Sequence, residues 1–213
     1  MVINNEKALV MTFGFSQAYS FPPDLVLSDN EPLLEVSEAK LLGVMLQTNL
    51  RWDSHTEYIC SRAASRLWTL RRLRALGLDT RILFDVYAKE IPSILEMAVP
   101  VWHSGLTLKQ SKDIEKIQRI SFSIILGLDM SYRRKCELLG TQTLAQRRMV
   151  LCSRYIQRAA KSQKFSDLLH VNSTRYDMRP GKKKFTEFQC TSNRAFMSPL
   201  CYLTRLLNSE GKS

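Results

Sequence analysis

Short apolar runs near the start of the chain have the length and composition of β-strands. Residues 7–13 contain the β-favouring Val10, Thr12 and Phe13, and residues 40–46 are an apolar run that is too short for a secure helix. The segment between them is rich in Gly, Ser, Pro, Asp and Asn, which is typical of a loop, and it predicts short hairpin strands at 25–27 and 33–36. We therefore expect a small antiparallel sheet at the N-terminal end.

The spacing of apolar residues changes to a helical period after Asp53. At three- and four-residue intervals the apolar positions are Ile59, Ala63, Leu67, Leu70 and Leu73. A stripe of this kind predicts an amphipathic helix, because these positions share one helical face. Asp53 or Ser54 is its expected N-terminal cap, and Gly77 its expected end.

Caps and breakers predict the helices that follow. The second helix begins at Asp79 or Thr80, is kinked at Pro92 and ends at Pro100. Two Thr-x-x-Gln capping boxes open later helices, and two glycines close helices. The boxes run from Thr107 to Gln110 and from Thr143 to Gln146, and the glycines are Gly127 and Gly140.

The sequence after residue 164 predicts less order. Its apolar periodicity is weak, residues 179–184 combine Pro, Gly and Lys, and one short apolar piece occurs at 200–207. The expected fold class is α+β and mainly α, with a small N-terminal antiparallel sheet, a helical bundle and a loosely ordered basic tail. The corresponding segments are 1–52, 53–165 and 166–213.

The positive charge of the chain is unevenly distributed. Of the net charge of +11, almost all lies late: residues 1–129 contain 14 Lys+Arg against 15 Asp+Glu, and residues 130–213 contain 17 against 5. A separate basic cluster lies in the otherwise balanced first part of the chain and comprises Arg51, Arg62, Arg66, Arg71, Arg72 and Arg74. The distribution indicates either a surface that meets a polyanion or a solvated basic tail.

Residue types that carry catalysis or bind metals form no known motif in the sequence. The cysteines are Cys60, Cys136, Cys152, Cys190 and Cys201. Their wide spacing predicts buried reduced thiols, without a disulfide framework or a zinc site. His55, His103 and His170 match no metal-binding pattern. No Asp-Asp pair is present to hold the two magnesium ions of nucleotidyl transfer, so we expect no catalytic residue, metal site or cofactor.

Neither end of the chain nor its interior predicts a membrane segment. No apolar run approaches the roughly eighteen residues that a membrane helix requires, and the first ten residues lack a secretory pattern. We therefore expect a soluble intracellular protein, in the cytoplasm or the nucleus, with no membrane partner.

A series of short motifs runs along the chain in a defined order. The early ones are Asn4-x-x-Lys7, Lys40-x-Leu42-Gly43-Val44-x-Leu46 and Leu50-x-Trp52-x-x-His55. The later ones are Val99-Pro100-Val101-Trp102, Ile114-Glu115-Lys116-Ile117-Gln118-Arg119, Tyr132-Arg133, Leu138-Leu139-Gly140, Thr143-Leu144, Arg147-Arg148 and the stretch 198–208. In this order they resemble the region that follows the catalytic core of the palm in reverse transcriptases of non-LTR (LINE-type) retrotransposons. The resemblance covers essentially the whole chain.

The resemblance implies the C-terminal part of an RNA-directed DNA polymerase: the end of the palm, the primer grip and the helical thumb. Residues 40–46 would lie near the 3′ end of the primer, and the helices from Asp53 would pack against a template–primer duplex of RNA and DNA. Lys7 matches a lysine that approaches the incoming nucleotide. The candidate nucleic-acid-binding residues are Lys7, Lys40, Gly43, Arg62, Arg66, Arg71, Arg72, Arg147 and Arg148. Arginines at such positions would bind phosphates without reading the base sequence.

Two kinds of departure from the family separate this chain from an active polymerase. Leu41 stands where the family has tyrosine, and Gln47 where it has aspartate. The fingers, the conserved palm strands and the metal-binding carboxylates have no counterpart in the sequence. We therefore expect no activity from the chain alone, and magnesium only in an intact family member, with the palm supplied by an upstream region or a partner.

Two alternatives to a polymerase segment stay open at the level of sequence. The chain could be a nucleic-acid-binding module in its own right, as the charge asymmetry indicates. It could also be a helical interaction protein whose basic tail is merely solvated, with residues 182–184 as a localisation signal.

Overall fold

The structure is a computed structural model that describes residues 8–13, 34–165, 168–169, 185–190 and 192–210. It is mainly helical, with a small sheet component near the N-terminus, which confirms the predicted fold class. The chain divides into two compact units, residues 1–58 and residues 59–213. Lys7, His170, the strand predicted at 25–27 and the lysines of 182–184 lie outside the described residues.

The strands of the first unit form two separate pairs. Strands β1 (Leu9–Val10) and β2 (Leu34–Glu35) pair in parallel, whereas β3 (Glu38–Leu41) and β4 (Val44–Gln47) form an antiparallel hairpin. The antiparallel prediction is therefore confirmed for the hairpin and wrong for the first pair. The prediction of one continuous strand over 40–46 is also wrong, since the chain reverses in the middle of that run.

A two-residue turn at Leu42 and Gly43 makes this reversal. Both residues have positive φ, 47° and 87°, as a type I′ hairpin turn requires. Glycine adopts such a φ freely, but for leucine the left-handed region costs about 1–2 kcal/mol. The apolar sequence around Leu42 therefore concealed the turn, and the leucine side chain, 92% exposed, projects from the hairpin tip.

Side-chain hydrogen bonds attach the hairpin to the start of the first helix. The backbone N–H of Met45 donates to Nδ1 of His55 over 3.3 Å. The carboxylate of Glu38 accepts hydrogen bonds from Gln47 at 2.8 Å and from the Ser54 hydroxyl at 2.7 Å. Burial lowers the pKa of His55 to about 4, so the ring is neutral near pH 7 and Nδ1 can act as an acceptor. Trp52, also buried, meets this ring edge-on.

The described α-helices are α1 (Asp53–Ala75), α2 (Thr80–Leu95), α3 (Val99–Trp102), α4 (Leu108–Leu126), α5 (Tyr132–Leu138), α6 (Leu144–Ala160), α7 (Asn193–Phe196) and α8 (Pro199–Glu210). The predicted helices are confirmed as α1, α2, α4, α5 and α6, whereas α3 and α7 are not predicted from the sequence. Asp79 caps α2, and both Thr-x-x-Gln capping boxes are formed. The prediction that Pro100 ends α2 is wrong: it lies in the first turn of α3, where the missing N–H of proline costs nothing.

The core of the second unit lies where α2, α4, α6 and α8 meet. Contacts join α2 to α4, α4 to α6, and α6 to both α3 and α8. The fully buried side chains include Leu83, Ile91, Trp102, Ile114, Phe122, Ile125 and Leu144. No helix in the described part of the chain is long and apolar enough to cross a membrane.

Glu115 connects α4 to the N-terminus of α6. Its carboxylate, on a 9% exposed residue, accepts the backbone N–H groups of Leu144 at 3.0 Å and Ala145 at 3.1 Å. The Tyr132 hydroxyl also donates to it. An acid at a helix N-terminus satisfies amide donors that have no partner within the helix and complements the helix dipole. Glu115 therefore fixes where α6 begins.

The segment predicted to be a loose tail contains an ordered helix. Helix α8 packs against α6 and α3, and buries Leu203, Thr204 and Asn208. The helical unit thus continues beyond the boundary predicted at residue 165, because the short apolar piece at 200–207 belongs to an amphipathic helix with a buried face.

Candidate nucleic-acid interface

Helix α1 carries a group of exposed arginines around a buried apolar stripe. Within the second unit its buried positions are Ile59, Ala63, Leu67 and Leu70. The exposed arginines are Arg62, Arg66, Arg71, Arg72 and Arg74. This separation follows from the three- and four-residue spacing of the apolar side chains. They occupy one face of the helix, and the arginines lie outside that face. We call the set Arg62, Arg66, Trp68, Arg71 and Arg72 the basic surface of α1.

The contacts of this surface leave its charge accessible. Arg66 Nε lies 3.7 Å from Glu90 Oε2, and both side chains are about half exposed, 49% and 51%. Such a pair is weak because water screens it. The Arg72 guanidinium lies 5.6 Å from the centre of the Trp68 ring. A phosphate can therefore approach these guanidinium groups without breaking a buried ion pair.

Trp68 belongs to this surface, although it is not among the residues that the sequence predicts to bind nucleic acid. It is 64% exposed, whereas Trp52 and Trp102 are 6% and 0% exposed. It stands four residues before Arg72 and off the apolar stripe, and that position was a usable indication that it faces water. An exposed aromatic ring beside arginines is a typical stacking platform for an unpaired base.

Lys40 and Gly43 lie in the hairpin of the first unit. Lys40 is exposed, its Nζ donates to the Tyr58 hydroxyl over 2.6 Å, and it lies 4.7 Å from the centre of that ring. Tyr58 thus holds the ammonium group in one place. Gly43 contributes backbone conformation, since it provides the second positive φ of the turn.

Arg147 and Arg148 are placed differently from what was predicted. Arg147 is bound in a two-point ion pair with Glu96, at 2.5 Å for Nε and 2.8 Å for Nη2. This hydrogen bonding raises the pKa of Arg147. The guanidinium is therefore already occupied by a carboxylate, and we remove Arg147 from the candidate interface.

Arg148 is an interior residue. It is 0% exposed, and its Nη2 donates to the Ser111 hydroxyl over 2.7 Å. Its Nε and Nη1 have no hydrogen-bond partner among the described residues. Burial lowers the pKa of Arg148, an effect that the charges of Glu115 and Glu96 oppose. The prediction that Arg148 binds a phosphate at the surface is corrected, because its side chain does not reach the surface.

Metal ions require a set of donor side chains that converge on one point. Among the residues that the structure describes, no group of three or more His, Cys, Asp or Glu side chains could hold a metal ion. His103 is half-buried, and burial together with the charge of Arg148 lowers its pKa to about 4. The described surface of α1 carries exposed arginines and one exposed tryptophan ring. Comparison with family models, with curated proteins and with solved structures gives no match.

Proposed function

We propose that this chain is a non-catalytic nucleic-acid-binding segment, and that it corresponds to the primer-grip and thumb part of a non-LTR retrotransposon reverse transcriptase. The observation that carries the binding proposal is the basic surface of α1, where one helix carries four exposed arginines and an exposed tryptophan whose ring lies beside Arg72. The ordered motifs of the sequence carry the family assignment.

The chemistry of the surface suits the backbone of an RNA–DNA duplex. Arginine binds phosphate oxygens through a planar fork of donors and stays charged at every physiological pH. Contacts to phosphates position a protein on a duplex and carry no sequence information. Trp68 adds affinity for a base outside the duplex, as at a primer end or a template overhang. The proposed ligand is therefore a template–primer junction bound without sequence preference.

The hairpin of the first unit supports the family part of the proposal. The motif around Gly43 corresponds to a segment that enters the thumb from the primer grip. In this chain the same residues form a tight hairpin with an exposed Leu42 at its tip and Lys40 fixed beside it. A strained and exposed leucine at a surface turn does not stabilise the fold, which favours a role for it in contacting a ligand.

The binding proposal is tested by the salt dependence of affinity. Fluorescence anisotropy with a labelled RNA–DNA hybrid that has a single-stranded overhang gives the affinity of the full chain over a series of KCl concentrations. Neutralising Arg62, Arg66, Arg71 and Arg72 to Gln together should reduce the slope of log affinity against log salt by about 3 to 4, since each phosphate contact contributes about 0.9.

A matched control removes the same charge elsewhere. Arg81, Arg133, Arg134 and Arg154 are also exposed arginines of the second unit, and their joint replacement by Gln should change the slope by less than about 1. Equal losses in both variants would mean that only net charge matters. Absence of affinity at low salt would favour a helical interaction protein instead.

Trp68 provides an internal reporter. It is the exposed member of the three tryptophans, so iodide should quench mainly its fluorescence. Binding of a hybrid with an unpaired overhang should protect it from iodide, and Trp68→Leu should abolish the protected component. The non-catalytic part is tested separately: purified chain with magnesium and deoxynucleotides should not extend a primer, and extension would overturn it.

A further inference from the structure

Two cysteines lie side by side at the C-terminal end of the described chain. The Sγ atoms of Cys190 and Cys201 are 3.4 Å apart, and both residues are half-buried. Cys190 lies in the segment 185–190, and Cys201 lies in the first turn of α8. A disulfide requires an S–S distance of about 2.0 Å, so the two sulfur atoms must approach each other by roughly 1.4 Å.

The backbone on both sides of this pair is held in place. Asn208, near the other end of α8, binds Phe185 through both its backbone N–H and its carbonyl oxygen, each over 3.0 Å. Asn208 Nδ2 also donates to Glu187 over 3.0 Å. The segment 185–190 therefore runs along α8, with Phe185 near its end and Cys190 near its beginning. The segment and the helix are therefore already aligned so that Cys190 and Cys201 face each other before any bond forms.

The chain between the two cysteines also packs onto α8. Helix α7 contacts α8, and the Arg205 guanidinium donates to the Phe196 carbonyl oxygen over 2.6 Å and stacks 3.2 Å from the centre of the Phe196 ring. The intervening loop is thus folded against the helix that carries Cys201. A cross-link would not need to pull a remote segment into position.

We propose that Cys190 and Cys201 form a reversible intramolecular disulfide that fastens the segment 185–190 to α8. The oxidant class is a small-molecule disulfide such as oxidised glutathione. One protein thiolate attacks it, forms a mixed disulfide and releases one glutathione thiolate. The second protein thiolate then attacks the protein sulfur and releases the other glutathione. Two protein thiols lose two protons and two electrons, and one glutathione disulfide becomes two glutathione thiols.

The other three cysteines are placed to stay reduced. Cys136 and Cys152 are buried, and burial raises the pKa of Cys152 and of half-buried Cys60 to about 11. Since the thiolate is the reactive form, these thiols exchange slowly. The hydrogen bond between the paired thiols also raises the pKa of Cys190, with Arg205 acting in the opposite direction. Exchange at the pair should therefore accelerate as pH rises.

The experiment equilibrates the full chain in mixtures of reduced and oxidised glutathione, quenches with acid and alkylates the remaining thiols. Mass spectrometry should show two thiols protected and one cross-linked peptide pair containing Cys190 and Cys201. Excess reduced glutathione should restore all five thiols. The oxidised form should melt about 4–10 °C higher than the reduced form, since a cross-link lowers the conformational entropy of the unfolded chain.

Single variants make the test specific. Cys190→Ser and Cys201→Ser should each abolish the cross-link and leave the remaining partner as a glutathione adduct, whereas the matched control Cys60→Ser should leave the cross-link intact. Five alkylated thiols under oxidising conditions, a cross-link that involves another cysteine, or a disulfide between two copies would each overturn the proposal. None of these readouts depends on nucleic-acid binding.

Discussion

The arginines of α1 and those at the start of α6 have the same chemistry and different surroundings. Arg62, Arg71 and Arg72 on α1 are exposed. Arg147 on α6 is bound to Glu96, and Arg148 is fully buried. Both groups were counted as candidate phosphate ligands from sequence. The difference teaches that positive charge predicts a binding surface only after the arginines that stabilise the interior have been set aside.

The same contrast applies to the excess of positive charge in residues 130–213. Besides Arg147 and Arg148, Lys135 is buried and donates to the Ser123 hydroxyl over 2.9 Å. Arg133 and Arg134 also pair with Glu137 on the short helix α5, but these pairs are exposed and therefore weak. Part of the late excess of charge thus belongs to structure, and the exposed charge of α1 becomes the better candidate for polyanion binding.

The largest predicted loss of stability comes from removing the carboxylate of Glu115, which binds the N-terminus of α6. Glu115→Ala removes the acceptor of two amide N–H groups and of the Tyr132 hydroxyl. We expect the free energy of unfolding to fall by about 3–5 kcal/mol, measured by urea denaturation. Glu115→Gln is the control and should lose less, because one acceptor oxygen remains. A loss below about 1 kcal/mol for Ala would contradict this role for Glu115.

The second prediction separates the ion pair of α6 from the surface pairs. Arg147→Ala leaves Glu96, whose side chain is 11% exposed, without its partner. Because Arg147 is itself 39% exposed, we expect a loss of about 1–3 kcal/mol, less than for a fully buried pair. A double-mutant cycle with Glu96→Gln should show coupling. Additive losses, or a reduced salt slope of hybrid binding, would return Arg147 to the interface.

The third prediction uses pH to detect the interior charge of Arg148. His103 has a pKa of about 4, lowered first by burial and second by Arg148. Arg148→Met should raise that pKa, measured from the ring resonances by NMR, yet leave it below the ordinary value of about 6.5 because burial remains. An unchanged pKa would mean that Arg148 does not act on His103.

The sign of the accompanying stability change follows from proton uptake. Between about pH 4 and 6.5 the unfolded chain binds a proton at His103 that the folded chain does not. Stability therefore rises with pH across this window and is lost as pH falls towards 4. His55, whose pKa is also about 4, contributes in the same direction, so the ring resonances are needed to separate the two.

The smallest predicted effect concerns the exposed arginines themselves. Arg66→Gln breaks a 3.7 Å pair with Glu90 in which both side chains are half exposed. The free energy of unfolding should change by less than about 0.5 kcal/mol in thermal or urea denaturation. A loss above about 1 kcal/mol would place Arg66 with the structural arginines and weaken the contrast between the two helices.

Local interactions explain what the sequence predicted correctly. The boxes at Thr107 and Thr143, the cap at Asp79 and the helix ends at Gly77 and Gly127 depend on residues a few positions apart, so a short window contains all the necessary information. The hairpin turn was missed for the opposite reason. A leucine at positive φ contradicts its own preference, and the turn at Leu42 joins two strands that pair across it.

The interior position of Arg148 was detectable in part. Leu144, Arg148, Cys152 and Ile156 recur every four residues and are all buried, so Arg148 occupies an apolar stripe. The ion pair of Arg147 was not detectable, because Glu96 lies fifty-one residues away and only packing brings the two together. The family motif predicts that both arginines bind nucleic acid. A motif does not show whether a side chain contacts a ligand or the core of the protein.

The bonds around the hairpin have a consequence for how the chain folds. Four hydrogen bonds that tie β3 and β4 to the start of α1 through side chains join residues no more than 18 positions apart. Closing such short loops costs little entropy, and contacts of low sequence separation form rapidly. The hairpin and the start of α1 can therefore assemble early, mainly through contacts between residues that are close in sequence. Sequence change elsewhere in the chain can accumulate with little effect on these elements.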